Sequence, residues 1–372
     1  MKLKQPPAQA QALLLAATFL LTGATIIAPT EYANAQPQGQ RGKQTNSELT
    51  QLLKEARKLV DAGNLDGAIA LYQQAASLDS KNPKIFSGIG YLLARQGKFA
   101  PAVEAYQQAI ALDPKNADFQ YALGYSLANL GDNAGAAAAY TQATQLNRRH
   151  VDAYLGLGVV LAREKNYDGA IAAYRQVSKL EPKNFKAQEL TGTLLIQQGR
   201  PREALRVLEQ AARLAPRQGS IQINIGAAWL SLRNQGEALK AFERASKLEP
   251  RNAELQLQIG KLLQADGDLI DALYAYRAAI SLKPGLTEAQ AGIGSIYLQN
   301  RDYLSAIVAY RRLLEVAPQD ARGYYYLGVA LQGRNRIQEA IDAFQQSRAL
   351  YTQQGNQVGV KQAEAALKAL TP

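Results

Sequence analysis

Residues 151–184 read VDAYLGLGVVLAREKNYDGAIAAYRQVSKLEPKN, and the fold follows from this stretch. Its first half spaces Tyr154, Leu157 and Leu161 three and four residues apart. Its second half does the same with Ala170, Tyr174 and Val177. That spacing is the mark of an amphipathic helix. Between the halves, Asn166-Tyr167 belongs to a polar turn. Pro182 cannot continue a helix, so it closes the second one. The predicted unit is an antiparallel helical hairpin.

Reading outward, the pattern recurs every 34 residues without insertion or deletion from 49 to 354. Nine units start at 49, 83, 117, 151, 185, 219, 253, 287 and 321. Position 8 is Gly in all but the first, from Gly90 to Gly328, with Ala56 in that one. Position 20 is always Ala, from Ala68 to Ala340. Position 24 is aromatic except for Leu208. Position 32 is proline at Pro114, Pro182, Pro216, Pro250, Pro284 and Pro318. A glycine inside a helix costs about 1 kcal/mol relative to Ala. Close contact between the two helices is the expected compensation, with the aromatic filling the space toward the next unit. One hairpin cannot bury its apolar faces alone, whereas stacked hairpins can.

This pattern closely resembles the tetratricopeptide repeat family. The resemblance rests on Gly or Ala at position 8, Ala at 20, the aromatic at 24, a small residue at 27 such as Ala75 or Ala109, and the proline at 32. It implies an all-α, right-handed superhelical solenoid whose first helices line a concave groove. Some positions depart from the family pattern. Gln120, Gln188, Gln222, Gln256 and Gln290 stand where a large aromatic is usual, and Arg148 and Thr352 replace the closing proline.

The termini read differently from the array. Lys2 and Lys4 precede the uncharged run LLLAATFLLTGATIIA at 13–28, and Ala33-Asn34-Ala35 follows. This is the three-part pattern of a signal peptide cleaved after Ala35. An uncleaved segment would instead anchor the protein in a membrane; in both cases the rest is exported, to a periplasm or lumen. Residues 36–48 read as a flexible leader, with Thr45 and Glu48 as a capping box ahead of the first helix. Residues 355–372 read as a C-terminal capping helix.

Composition narrows the chemistry. The chain has no Cys and one His, so thiol chemistry, disulfides and zinc sites of ordinary composition are excluded. The net charge is +11, and residues 185–252 hold 11 Lys and Arg against 6 Asp and Glu. A basic balance favours acidic partners, and export disfavours nucleic acid. Gly88-Ile89-Gly90, Gly156-Leu157-Gly158 and Gly292-Ile293-Gly294 fall inside first helices and lack the strand that a dinucleotide site needs. His150, beside Arg148 and Arg149, reads as an exposed loop residue. No constellation for catalysis, cofactor or metal is present.

Nineteen tyrosines stand against 7 Phe and 1 Trp. Tyr and Arg are the residue types enriched where proteins bind one another. The family's groove-facing positions then place Arg57, Tyr91, Arg95, Tyr121 and Tyr125 on one wall, and Arg322, Tyr325 and Tyr326 near the far end. The family's carboxylate clamp for chaperone C-termini is absent, because Asn224 is flanked by Glu189 and Thr193 before and by Glu254 and Gln258 after. Arg202, Arg206 and Arg213 form a basic stripe on a second helix, read as a solvated outer face. The expectation is a non-catalytic scaffold for other proteins, in assembly of an envelope or membrane complex. A polysaccharide-binding or polysaccharide-export role is the alternative.

Overall fold

The computed structural model describes residues 43–370, so the signal segment and the first part of the leader lie outside the described residues. Every described element is a helix, nineteen in all, and the chain divides into two compact units at Pro216 and Arg217. The first unit holds α1 (Lys43–Asp61), α2 (Leu65–Leu78), α3 (Pro83–Arg95), α4 (Phe99–Leu112), α5 (Ala117–Leu130), α6 (Asn133–Leu146), α7 (Val151–Arg163), α8 (Tyr167–Leu180), α9 (Phe185–Gln197) and α10 (Pro201–Leu214). The second holds α11 (Gly219–Ser231), α12 (Gln235–Leu248), α13 (Ala253–Asp266), α14 (Leu269–Leu282), α15 (Thr287–Gln299), α16 (Tyr303–Val316), α17 (Ala321–Gly333), α18 (Ile337–Gln353) and α19 (Gln357–Leu370). Odd-numbered helices pair with the even-numbered helix that follows, and α19 packs on α18. The arrangement is a tandem series of antiparallel pairs.

Two stop-and-start devices recur. Within each pair the turn carries one residue in the left-handed region, such as Gly63, Gly97 or Gly131. The next residue is usually Asn or Asp, and its side chain accepts the exposed N–H three residues on, as Asn64 does from Gly67 and Asp132 from Gly135. Between pairs, Asn116, Asn184 and Asn252 cap the following first helix in the same way. Capping of this kind is worth about 1 kcal/mol per helix.

Two expectations about boundaries change. The first helix already runs from Lys43, so position 45 lies inside it and not ahead of it. No Pro or Gly stands between Lys43 and Leu49 to stop the helix extending backward. Loss of the closing proline also has unequal effects. With Arg148 there, α6 still ends at Leu146, because Asn147 leaves the helical region and His150 caps α7. With Thr352 there, α18 runs on to Gln353.

The core is a ladder of aromatic rings on glycine. A Cβ on Gly90 would lie 3.0 Å from the Tyr106 ring, and one on Gly158 only 2.4 Å from the Tyr174 ring. The same holds for Gly226 against Phe242 and Gly328 against Phe344. Where position 6 is also glycine, the ring is clasped on two sides: Tyr140 lies between Gly124 and Gly156, and Tyr276 between Gly260 and Gly292. The glycines of the Gly-x-Gly runs therefore admit rings. In α7 small side chains, Ala153, Gly156, Gly158 and Val160, form the buried seam, and Tyr154, Leu157 and Leu161 are only half-buried beside it. Val360, Leu367 and Leu370 of α19 cover apolar residues of α17 and α18 at the C-terminal end.

The pairs do not stack evenly. Successive first helices approach one another directly, α3 with α5 and α5 with α7, and likewise α13, α15 and α17. Successive second helices come less close among the described residues. In each unit the first-helix face is therefore the inner side of the curvature.

Candidate binding face

In the first unit the inner face carries a guanidinium–phenol pair. Arg95, in the last turn of α3, lies over the ring of Tyr91 one turn earlier, 5.7 Å from its centroid. Their spacing of four residues puts both on one helix face. Arg57 is exposed on α1. Burial pushes the Tyr72 phenol up in pKa, and the charge of Arg57 partly offsets this. Tyr125 on α5 is half-buried and meets Phe99 edge-on at 6.2 Å. Tyr106 lies beneath, its phenol pushed up by burial and by the neighbouring Tyr91 and Tyr125 hydroxyls. Arg57, Tyr91, Arg95 and Tyr125 thus share one face.

Tyr121 does not share it. The structure leaves it only 3% exposed, with its ring 5.9 Å from Tyr140 and 4.9 Å from the His150 ring. The groove assignment fails here because the α6–α7 connection folds over this part of α5. The Tyr121 hydroxyl is buried without a hydrogen-bond partner among the described residues.

His150 corrects the second reading. Its side chain is about 10% exposed, not a free loop residue. Its Nδ1 accepts from the Ala153 N–H at 3.3 Å, and its Nε2 lies 3.3 Å from Asp118 Oδ1 on the preceding pair. The bond with His150 holds the Asp118 carboxyl below its usual range. The signal was present in the sequence, since Asn occupies this repeat position at Asn82, Asn116, Asn184 and Asn252. We expect His150→Ala to lower stability by about 1 kcal/mol and His150→Asn to restore most of it. Equilibrium denaturation of the three proteins checks this; equal midpoints for all three would exclude the cap.

Sequence reasoning also missed Arg163, which ends α7 at the repeat position that Arg95 holds in α3. Its Nη1 donates to the Ala128 carbonyl at 3.3 Å, across the seam between α5 and α7. Its charge partly offsets the burial that raises the Tyr140 and Tyr174 phenols, so it stands near both hydroxyls.

In the second unit, Arg322, Tyr325 and Tyr326 do come together. Arg322 is exposed and lies 5.5 Å over the Tyr326 ring. Tyr326 stacks on Tyr310 at 5.7 Å with planes 20° apart. Tyr325 meets Tyr326 edge-on at 5.4 Å and Phe344 at 5.5 Å. Both tyrosines are half-buried, so much of each ring serves packing between α16, α17 and α18. On the outward helices, Arg202, Arg206 and Arg213 are exposed on α10, as expected. Ile270 and Tyr274 of α14 and Leu304 and Val308 of α16 are also exposed there, at repeat positions that are polar or small elsewhere.

The Tetratricopeptide repeat signature matches residues 121–184, 161–223, 233–287 and 292–355, and the TPR repeat signature matches 56–97 and 90–131. The chain belongs to the tetratricopeptide repeat family. A TPR repeat-containing protein of Picosynechococcus is 41% identical over 56 residues, 15% of this chain and 14% of that relative's length. A tetratricopeptide repeat protein from Parabacteroides merdae is 20% identical, with a TM-score of 0.49 over 64% of this chain and 94% of that one. A MamA protein is 25% identical, with a TM-score of 0.45 over 46% of this chain and 94% of its own. YrrB, described as a TPR protein with an unusual peptide-binding site, is 22% identical, with a TM-score of 0.44 over 50% of this chain and 96% of its own.

Proposed function

We propose that this chain is a non-catalytic scaffold of nine repeats, residues 49–354, that holds a segment of another protein on its first-helix face. The observation that carries the reading is the set Arg57, Tyr91, Arg95 and Tyr125 gathered on the inner face of the first unit. A half-buried tyrosine is already ordered, so covering its open side removes apolar area from water at small entropic cost. A guanidinium stacked on the ring keeps its outward N–H groups for a partner. The N-terminal pattern supports export, with residues 1–35 removed, and so an exported or membrane-bound partner during assembly of an envelope complex.

The test is affinity capture with residues 36–372 as bait from an extracytoplasmic extract, with the full-length chain fractionated in parallel to read its compartment. Tyr91→Ala combined with Tyr125→Ala is expected to weaken the captured complex about tenfold with an unchanged thermal midpoint. A captured partner unaffected by that double variant would remove the face assignment. No protein partner, but retention on purified envelope glycan, would favour the polysaccharide reading.

A further inference from the structure

Three arginines of the first unit's inner face, Arg57, Arg95 and Arg163, have no carboxylate within ion-pair distance among the described residues. All three stand in the C-terminal halves of first helices, at repeat positions 9 and 13. Those two positions in α1, α3, α5, α7 and α9 hold three cations and a single anion, Asp61. On other elements some arginines are neutralised: Arg200 pairs with Glu203 and Asp168, and Arg311 and Arg336 converge on Glu339. The helix dipole accounts for a cation in a last turn, as at Arg95 and Arg163. It does not account for Arg57, which precedes the end of α1 by a turn, nor for the tyrosines between the cations.

Two of the guanidinium groups are also held in place. Arg95 rests on Tyr91, and Arg163 spans the α5–α7 seam by its bond to the Ala128 carbonyl, while Arg57 is exposed on α1. A cation fixed in advance loses little side-chain entropy when an anion arrives. We infer that this face selects an acidic, extended polypeptide segment, its carboxylates reaching Arg57, Arg95 and Arg163 and its apolar side chains covering Tyr91 and Tyr125. The inference rests on the binding-face reading above and adds the chemical class of the partner. The partner's carboxylates supply the charge that the inner rows lack, and charge of that kind sets selectivity and association rate.

The experiment uses the chain from residue 36 and three fluorescein-labelled peptides of one length, built from Gly, Ser, Phe and a variable residue. The variable residue is Glu, Gln or Lys. Anisotropy is read at about 20 mM and about 150 mM salt. The Glu peptide is expected to bind about tenfold tighter than the Gln peptide, to weaken with salt, and to outcompete the Lys peptide. Arg57→Ala, Arg95→Ala and Arg163→Ala together should abolish the preference for Glu over Gln. Arg202→Ala, Arg206→Ala and Arg213→Ala together remove equal charge from the outward face of α10 and should leave that preference intact. If the seam variant at Arg163 lowers the thermal midpoint, the double variant Arg57→Ala/Arg95→Ala is read instead, with a partial loss expected. Equal affinity for all three peptides, lost with Tyr91→Ala/Tyr125→Ala, overturns the acidic class and leaves the binding face standing. A Glu preference that falls equally in both triple variants reflects bulk charge and also overturns it.

Discussion

Gly158→Ala should destabilise the protein by about 2 kcal/mol, and should become stabilising by up to about 1 kcal/mol once Tyr174 is already Ala. In any ordinary helix interior, Gly→Ala gains stability, because Ala restricts the unfolded chain and favours the helix. Here the new Cβ would stand 2.4 Å from Tyr174 Cε1 and 2.6 Å from Cζ. The ring is fully buried and cannot retreat, so either it or α7 must shift. Tyr174→Ala alone should cost about 3–5 kcal/mol through lost burial and the cavity left behind. With the ring gone, the space beside Gly158 is open and only the propensity gain remains. Chemical denaturation of the four proteins in the cycle gives the coupling. Additive effects would mean that the glycine is not there for the ring. The prediction extends to the other glycine–ring contacts, among them Gly226 against Phe242, tighter still at 2.3 Å, and Gly156 against Tyr140 at 2.5 Å.

Replacing Lys165, Arg233 and Arg301 together by Gly should raise stability by about 2 kcal/mol, the opposite of the usual result for added glycine. These residues adopt φ of 62°, 60° and 57° at the hairpin position that other pairs fill with Gly63, Gly97, Gly131, Gly199 and Gly267. A left-handed residue with a Cβ costs about 1–2 kcal/mol, and glycine's extra freedom in the unfolded chain returns part of that. Asn335 at 59° is left alone, because Asn tolerates this region. The reciprocal change, Gly97→Ala at φ 74°, should lower the melting midpoint although nothing lies within 4 Å of the added Cβ. Unchanged or lower midpoints for the triple glycine variant would show that these turns carry no strain.

The periodicity at 151–184 was enough to predict paired helices and the tight seam between them, because each is a local consequence of repeat spacing, glycine and proline. The charged and aromatic rows were also legible, since helical geometry alone puts Tyr91 with Arg95 and Tyr326 with Arg322. What failed was burial at the joints between pairs. Tyr121 and Tyr125 look alike in the sequence, four residues apart on α5. Tyr121 lies under His150, which the α6–α7 connection brings over it, and Tyr125 stays at the surface. Arg163 owes its place to a carbonyl on a neighbouring helix 35 residues away. Helix formation and hairpin pairing depend on residues close in the chain, so the sequence by itself determined them. Which of two similar side chains meets water depends on the neighbouring pair that packs over it, and only the tertiary structure decided that.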